Sequence, residues 1–373
     1  MANLKVDTVS GIGTEGPVLN GGLHFRSKNY LTLPKGTTAE RTATSSGIST
    51  VIGAIRYNTD SNKMECYVIN KWMIVATSSP NLDGGTRGLW AGGDQPTNIN
   101  NINFLTISTA GDATDFGDLV TVKSSFCAAS NSTIAAWAGG YGSLNAIQTN
   151  IFSSTGNSVD TADLQSNVLT PSGMSNETRG IFAGGGDPIR NQIQFYTFAA
   201  AANTIDFGDA SSAHFTGSGC GSPTRGVFNF GFVSPARVNN IEFVTIATTG
   251  NSQDFGDLTT NRNGAGAFSN TTRGIWGGGE TPSQSNIIDY ITISTTGNAV
   301  NFGDMLANRW NASGDGASSS TRGIFAGGAN SPGRVNTIQY VQIATQGDAV
   351  DFGDLQFASS NQAACSNGHG GLG

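Results

Sequence analysis

Charge, cysteine and histidine are all in short supply in this chain. Asp, Glu, Lys and Arg make up 12% of the 373 residues, about half the usual share. What positive charge remains forms neither a stripe suited to nucleic acid nor a polybasic membrane patch. The four cysteines (Cys66, Cys127, Cys220, Cys365) stand far apart without a Cys-x-x-Cys pair. They read as small buried side chains, not as a disulfide framework. The three histidines (His24, His214, His369) have no partner at metal-ligand spacing, so no metal or cofactor is expected. No apolar run reaches eighteen residues, and Met1-Ala-Asn-Leu-Lys5 is no signal peptide, so membrane insertion is not expected. Helix formers are few as well. Gly (52 residues), Thr, Ser, Asn, Ile and Phe are abundant instead, a composition of strands and turns. The chain reads as all-β.

Charge is also divided unevenly. Residues 1–80 carry a balance of +3 and the remainder −10. Within the remainder one phrase recurs: Thr86-Arg-Gly-Leu-Trp-Ala-Gly-Gly93, with close copies starting at Thr178, Thr272 and Thr321 and blurred ones at Thr133 and Thr224. The starts are 47, 45, 46, 48 and 49 residues apart. A second phrase, Asp115-Phe-Gly-Asp-Leu119, follows each first one, and the six units fill residues 86–368. Each unit divides into four extended runs, in the fifth unit Gly274–Gly278, Asn286–Ser294, Ala299–Met305 and a looser run near Asn311–Ser318. Four strands in about 47 residues is the size of a propeller blade. The second run is apolar on both parities, as a strand sandwiched between neighbours requires, and no run has the period of a helix. The spacing predicts a six-bladed β-propeller with kelch-like Gly-Gly blades over 86–368, and a short tail at 369–373.

Six near-copies compare each position with itself. The Gly-Gly pair is expected to end the innermost strand, where the axis leaves no room for side chains. The second phrase always carries Asp (Asp118, Asp163, Asp209, Asp257, Asp304, Asp354), and the first carries Arg in five units (Arg87, Arg179, Arg225, Arg273, Arg322), with Ile134 the exception. A ring of Arg–Asp pairs and Asp-to-backbone bonds is the expected role. Catalysis uses one site, so residues repeated around a ring are structural. Ala129, Met174, Cys220, Phe268, Ala317 and Cys365, four residues before each new unit, are all apolar and expected in the core.

The variable segments carry the functional expectation. Polar loops follow each Gly-Gly (Asp94–Asn100, Tyr141–Asn145, Asp187–Asn191, Val233–Asn239, Glu280–Asn286, Ala329–Asn336). Further variable stretches such as Val120–Phe126, Ala210–Gly217 and Leu306–Gly314 follow the Asp phrase. In blade geometry both sets emerge on one face, and varied loops on a rigid frame suit recognition. Candidate ligand-binding residues there are Tyr141, Arg190, His214, Phe215, Arg237, Arg309, Trp310 and Arg334, because aromatics and Arg stack on sugars or anchor on proteins. No catalytic residue is assigned. Five Asp-Phe-Gly or Asn-Phe-Gly copies without a Gly-rich ATP loop or His-Arg-Asp are no kinase, and Glu is too rare in the repeats to supply paired glutamates.

Residues 1–80 hold all but one of the lysines. Gly53–Asp60 and Met64–Ile69 flank Ser-Asn-Lys, a hairpin signal. Lys71–Val75 adds a third run, and Leu31–Gly36 is a strand leading into a turn. Such short strands bury too little area alone, so packing against another chain is expected. Leu33-Pro-Lys-Gly-Thr-Thr-Ala-Glu-Arg41, Gly53-Ala-Ile-Arg-Tyr-Asn-Thr59, Met64-Glu-Cys-Tyr67 and Lys71-Trp72 resemble a segment of tail-fibre and related virion proteins of tailed bacteriophages. The repeats resemble Gly-rich arrays in structural proteins of marine phages. The resemblance implies a non-enzymatic virion component assembled in the host cytoplasm. Residues 1–80 would attach to other virion proteins or trimerise, and the propeller would bind a host surface glycan or protein as a tail-fibre adhesin. A purely structural neck, tail or capsid part, or a carbohydrate-active propeller enzyme, are the alternatives.

Overall fold

A computed structural model describes residues 33–42, 54–60, 63–68, 71–74, 86–141, 145–310, 316–331 and 333–372. The chain divides into two compact units, residues 1–80 and 81–373. In the first, Ile55–Asn58 pairs antiparallel with Lys63–Val68, which pairs with Lys71–Ile74, and Lys35–Gly36 adds in parallel to Tyr57–Asn58. The two runs on either side of Ser61-Asn62 thus pair as expected, and Ser61 and Asn62 themselves lie outside the described residues. Glu65 is buried at its centre, held by the Arg41 guanidinium and by the Asn58 amide at 2.8 Å. Leu31, Thr32 and Val75 lie outside the described residues.

Among the described residues the second unit has six main antiparallel sheets, four of four strands and two of five, with two small two-stranded sheets beside them. Sheet 2 is typical: Cys127–Ser130 innermost, then Ile134–Ala138, Ala146–Ile151 and the outer strand Val159–Asp163. Sheets 3 to 6 begin at Ser172, Gly219, Gly266 and Ala317 and follow the same order. Sheet 1 takes its innermost strand from the other end of the chain: Ala363–Ser366 pairs with Arg87–Ala91. The innermost strands neighbour one another in turn, and that of sheet 1 returns to lie against Cys127–Ser130.

Two expectations about strand order are corrected by this register. The looser fourth run of each unit is the innermost strand of the following sheet, as Ala317–Ser318 pairing with Gly323–Ile324 shows; Asn311 lies outside the described residues. The Gly-Gly pair therefore ends the second strand, not the innermost one. Its positive φ (Gly92 60°, Gly93 103°) turns the chain out of the sheet, and Gly93 N–H donates to Lys123 O at 2.7 Å. Several outer strands also run longer than expected. Thr114–Lys123, Ile205–His214 and Val300–Arg309 take up residues read as loop.

The core lies between sheets. The Phe of the second phrase (Phe116, Phe207, Phe255, Phe302, Phe352) is buried, with its ring edge-on to an aromatic of its own third strand at centroid distances of 5.8–6.0 Å. Burying each such Phe contributes roughly 1.5–3 kcal/mol. Ala129, Met174, Cys220, Phe268, Ala317 and Cys365 are all buried. Cys127, Cys220 and Cys365 are buried, and Cys66 is only half-buried.

Candidate functional site

The repeated residues hold the sheets to one another. Each Arg of the first phrase stacks on the aromatic of its own third strand, as Arg273 does on Tyr290 at 4.7 Å. Its guanidinium then donates to a carbonyl of the next sheet: Arg179 to Ile246, Arg225 to Ile293 and Arg273 to Ile343, at 2.9–3.0 Å. Arg87 reaches Phe152, and Arg322 reaches Ile107 and Ser108 of sheet 1. This replaces the expected Arg–Asp ring. The ion pairs among the described residues are Arg41–Glu65, Arg237–Glu280, Arg262–Asp289 and Arg334–Asp94. The physical reason is position: the Arg extends toward a carbonyl just after the next sheet's third strand, while the Asp lies in the outer strand.

The Asp acts at the same junctions through its backbone. Asp118, Asp163, Asp209, Asp257, Asp304 and Asp354 each donate N–H to an Asn or Asp side chain in the next sheet's outer hairpin, at 2.9–3.1 Å. The last of these runs from sheet 6 to sheet 1. A further ring went unrecognised in the sequence. Asn103, Gln148, Gln194, Glu242, Asp289 and Gln339 are buried mid-strand and accept the backbone N–H of Gln356, Val120, Gln165, Ser211, Thr259 and Leu306 in the preceding sheet. The signal was present: each follows an Ile and interrupts an apolar run. A buried polar side chain needs a partner, so recurrence at one position implies a repeated acceptor site.

Six isolated bridges join the two sets of variable segments: Asp94 to Ser360, Ser124 to Tyr141, Leu169 to Gly186, Phe215 to Phe232, Asn263 to Glu280 and Trp310 to Ala329. The loops therefore share one end of the sheets. The eight candidate residues separate into groups. His214 and Arg309 are not available to a ligand, being 0% and 3% exposed at the ends of long outer strands. His214 stacks on Phe230 at 4.3 Å and donates Nδ1–H to Ser212 O, and burial pushes its pKa down to about 4. Arg309 donates to Gly327 O and Thr337 O, and burial lowers it to about 10. Lys123 and Arg262 fill the same position in their sheets, both 0% exposed. Lys123 bonds Ala146 O at 3.1 Å and is lowered by burial to about 8. Arg262 meets Asp289 at 2.8 Å. These side chains wedge the next sheet.

The other six reach the loop end. Arg237 is tied to Glu280 at 2.7 Å and Asn263 at 2.8 Å. Arg190 bonds the Ser166 hydroxyl and carbonyls of its own loop, Phe215 packs on Phe232 at 5.1 Å, and Tyr141 stands 53% exposed. Trp310 and Arg334 come together with Asp94, Gln284, Asn330 and Ser360 around a cleft of about 340 Å³. Asp94 is clasped by the Arg334 guanidinium, by Ser360 Oγ at 2.6 Å and by Asn361 Nδ2 at 3.3 Å. Burial alone would raise its pKa, but these bonds outweigh burial and hold the carboxyl below its ordinary value.

By contrast, the pocket lined by the innermost strands of sheets 1 to 5, by Gly316 and by His369 is only about 40 Å³, room for a few waters. It is edged by serines that bond from sheet to sheet: Ser130 Oγ to Ser366 O, Ser175 to Ser130, Ser269 to Gly221, Ser318 to Ser269 and Ser366 to Ser318, at 2.7–2.9 Å. The tail closes over it. His369 Nε2 lies 3.0 Å from Ser130 O, and Gly370–Leu372 form a 3-10 turn. Among the described residues no three His, Cys, Asp or Glu side chains converge as a metal site would need. Among the described residues no helix is long and apolar enough to cross a membrane. No family model matches the chain, and a search of curated proteins finds none similar to it.

Proposed function

We propose that residues 86–368 form a six-bladed β-propeller whose loop-bearing end recognises a surface of the host, and that the chain is a non-enzymatic virion protein, a tail-fibre adhesin attached to the particle through residues 1–80. Support for the propeller is cyclic: Arg, backbone and side-chain bonds run from each sheet to the next and from sheet 6 back to sheet 1. The observation that carries recognition is the contrast between ends. Junction chemistry repeats almost unit for unit, while the six bridged loop pairs differ and include the Trp310 cleft. The virion assignment rests on the resemblance of residues 33–72 and of the repeats to phage structural proteins.

One observation favours the structural alternative. Val159, Ile205, Val300 and Val350 occupy the same outer-strand position in four sheets and are 53–62% exposed, as a rim packed against other subunits would be. Electron microscopy of intact particles, with an antibody against residues 81–373, separates the two readings. Label at the distal end of a fibre is the expected result, and a position inside the particle or at a closed joint would end the adhesin reading.

A further inference from the structure

We infer that the cleft bounded by Trp310, Asp94 and Arg334 is a subsite for a neutral pyranose sugar. This rests on the reading of the loop-bearing end as a recognition surface and names the ligand class of one place on it. The cleft's volume of about 340 Å³ falls at the lower end of the ligand-pocket range, roughly 300–1,000 Å³. Its lining combines one large aromatic with side chains that both donate and accept. The backbone of Trp310 is fixed by two bonds to Ala329, at 3.1 Å and 3.0 Å. Gln284 Oε1 accepts Ser331 N–H at 2.9 Å, which leaves the amide NH2 of Gln284 to donate elsewhere. Asp94 Oδ1 already accepts from Ser360 and Asn361, but Oδ2 meets only Arg334; an ionised carboxylate has about four acceptor sites, so Oδ2 can still take a sugar hydroxyl. An aromatic face for the C–H side of a ring, with a carboxylate and amides for its hydroxyls, is what a pyranose requires.

Charge decides which pyranose. Arg334 and Asp94 neutralise one another, so the cleft offers an anion no uncompensated cation. The chain beyond residue 80 carries a balance of −10 and would repel acidic sugars approaching it. A peptide ligand would instead be expected to use an extended groove, not a single cleft of this volume.

Saturation-transfer NMR on the full chain tests the proposal, with the methyl glycosides of glucose, galactose, mannose and N-acetylglucosamine set against glucuronate and N-acetylneuraminate. At least one neutral glycoside is expected to receive saturation, and the acidic sugars at least tenfold less. Trp310→Ala should weaken the neutral ligand tenfold or more, with Trp310→Phe retaining part of it at an unchanged melting temperature. Asp94→Asn should reverse the preference toward glucuronate by freeing Arg334. Equal or stronger binding of acidic sugars by the native chain, or neutral binding indifferent to Trp310→Ala, would overturn the proposal, as would the absence of any neutral binding. If a glycan-array ligand is lost on Tyr141→Ala but not on Trp310→Ala, this subsite is wrong while the recognition surface stands. If particles place the loop end at a closed joint, the broader reading has failed.

Discussion

The junction between sheets 2 and 3 differs from the other five, and the difference shows how sheets are matched. Five junctions share a set: an Arg stacked on an aromatic, that aromatic edge-on to the buried Phe, and the following Gly pressed against the next outer hairpin. At Gly256 an added Cβ would lie 2.5 Å from the backbone of Gly297. In sheet 2 every member changes together. Ile134 replaces Arg, Thr149 the aromatic, Thr161 the Phe and Ala162 the Gly, while the facing hairpin of sheet 3 becomes Phe198-Ala-Ala-Ala-Ala-Asn203. Ile134 now packs on the cluster that holds Tyr196 and Phe198. The edge bonds persist, with Asp163 N–H on Asn203 and Gln165 N–H on Gln194, both at 2.9 Å. An apolar filling has replaced a cationic one inside an unchanged hydrogen-bonded frame.

If fillings are interchangeable sets, breaking one member should cost far more than exchanging the set. The largest effect is expected at the buried Arg262–Asp289 pair between sheets 4 and 5, both 0% exposed. Asp289→Ala leaves a buried guanidinium unpaired and should cost about 3–5 kcal/mol, read from urea unfolding. The double change Arg262→Val with Asp289→Gln copies the residues at the 2–3 junction, Val168 and Gln194, and should restore stability to within about 1–2 kcal/mol. A double variant as unstable as the single one would show that fillings do not transfer.

Next in size is an acid effect at the junction of sheets 3 and 4. Burial holds the folded-state pKa of His214 at about 4 against an ordinary 6.5, so below pH 6.5 the unfolded chain binds the proton more strongly. Stability is full above that value and falls as the pH drops from about 6.5 to about 4, by on the order of 3 kcal/mol. His214→Val, matching Val168 of sheet 2, should flatten this limb relative to the native chain in melts at pH 7 and pH 4.5. An unchanged slope would mean that His214 does not titrate from a buried neutral state.

Gly256→Ala follows. With φ at 140° and the Cβ against Gly297, it should cost about 2–3 kcal/mol, whereas Ala162→Gly at the exceptional junction should stay within about 1 kcal/mol. Arg273→Ala removes one stacking contact and charge-assisted bonds to Ile343 and Ala344, worth about 1–2 kcal/mol at a half-exposed site. Equal melting shifts for Gly256→Ala and Ala162→Gly would remove the steric basis of the comparison.

How much of this could be read from residues alone depended on whether the signal was local. The all-β class, the pairing of Ile55–Asn58 with Lys63–Val68 and the buried apolar positions before each unit follow from periodicity and turn chemistry. Strand ownership did not, because a run such as Ala317–Ser318 pairs forward or backward with equal local sense, and only the contact of Ala363–Ser366 with Arg87–Ala91 decides it. Of the candidate contacts, Trp310 and Arg334 meet in one cleft, while His214 and Arg309 were mistaken for loop residues. Their polarity suggested solvent, but a long outer strand carries them under the next sheet. The two blurred units depart from strict six-fold regularity in the sequence. Each is a paired exchange: Ile134 with Thr149, and Phe230 in place of Gly where His214 stacks on it. Pairings across a junction are invisible until the partner is known.

The smallest expected effect concerns the most regular residue. Asp257 recurs in every unit, and recurrence alone suggests a buried, bonded carboxylate. Its bonds to sheet 5 are made by its backbone, with N–H to Asn298 Oδ1 at 3.1 Å and C=O from Ala299 N–H at 2.7 Å, while the side chain is only half-buried. Asp257→Ala should therefore change stability by less than about 0.5 kcal/mol, as for an ordinary surface position. Asn298→Ala, which removes the acceptor itself, should cost about 0.5–1.5 kcal/mol. The order of these two melting temperatures is the test. If Asp257→Ala proves the more damaging, the carboxylate has a role that the junction bonds do not explain, and the frame common to all six junctions is not backbone alone.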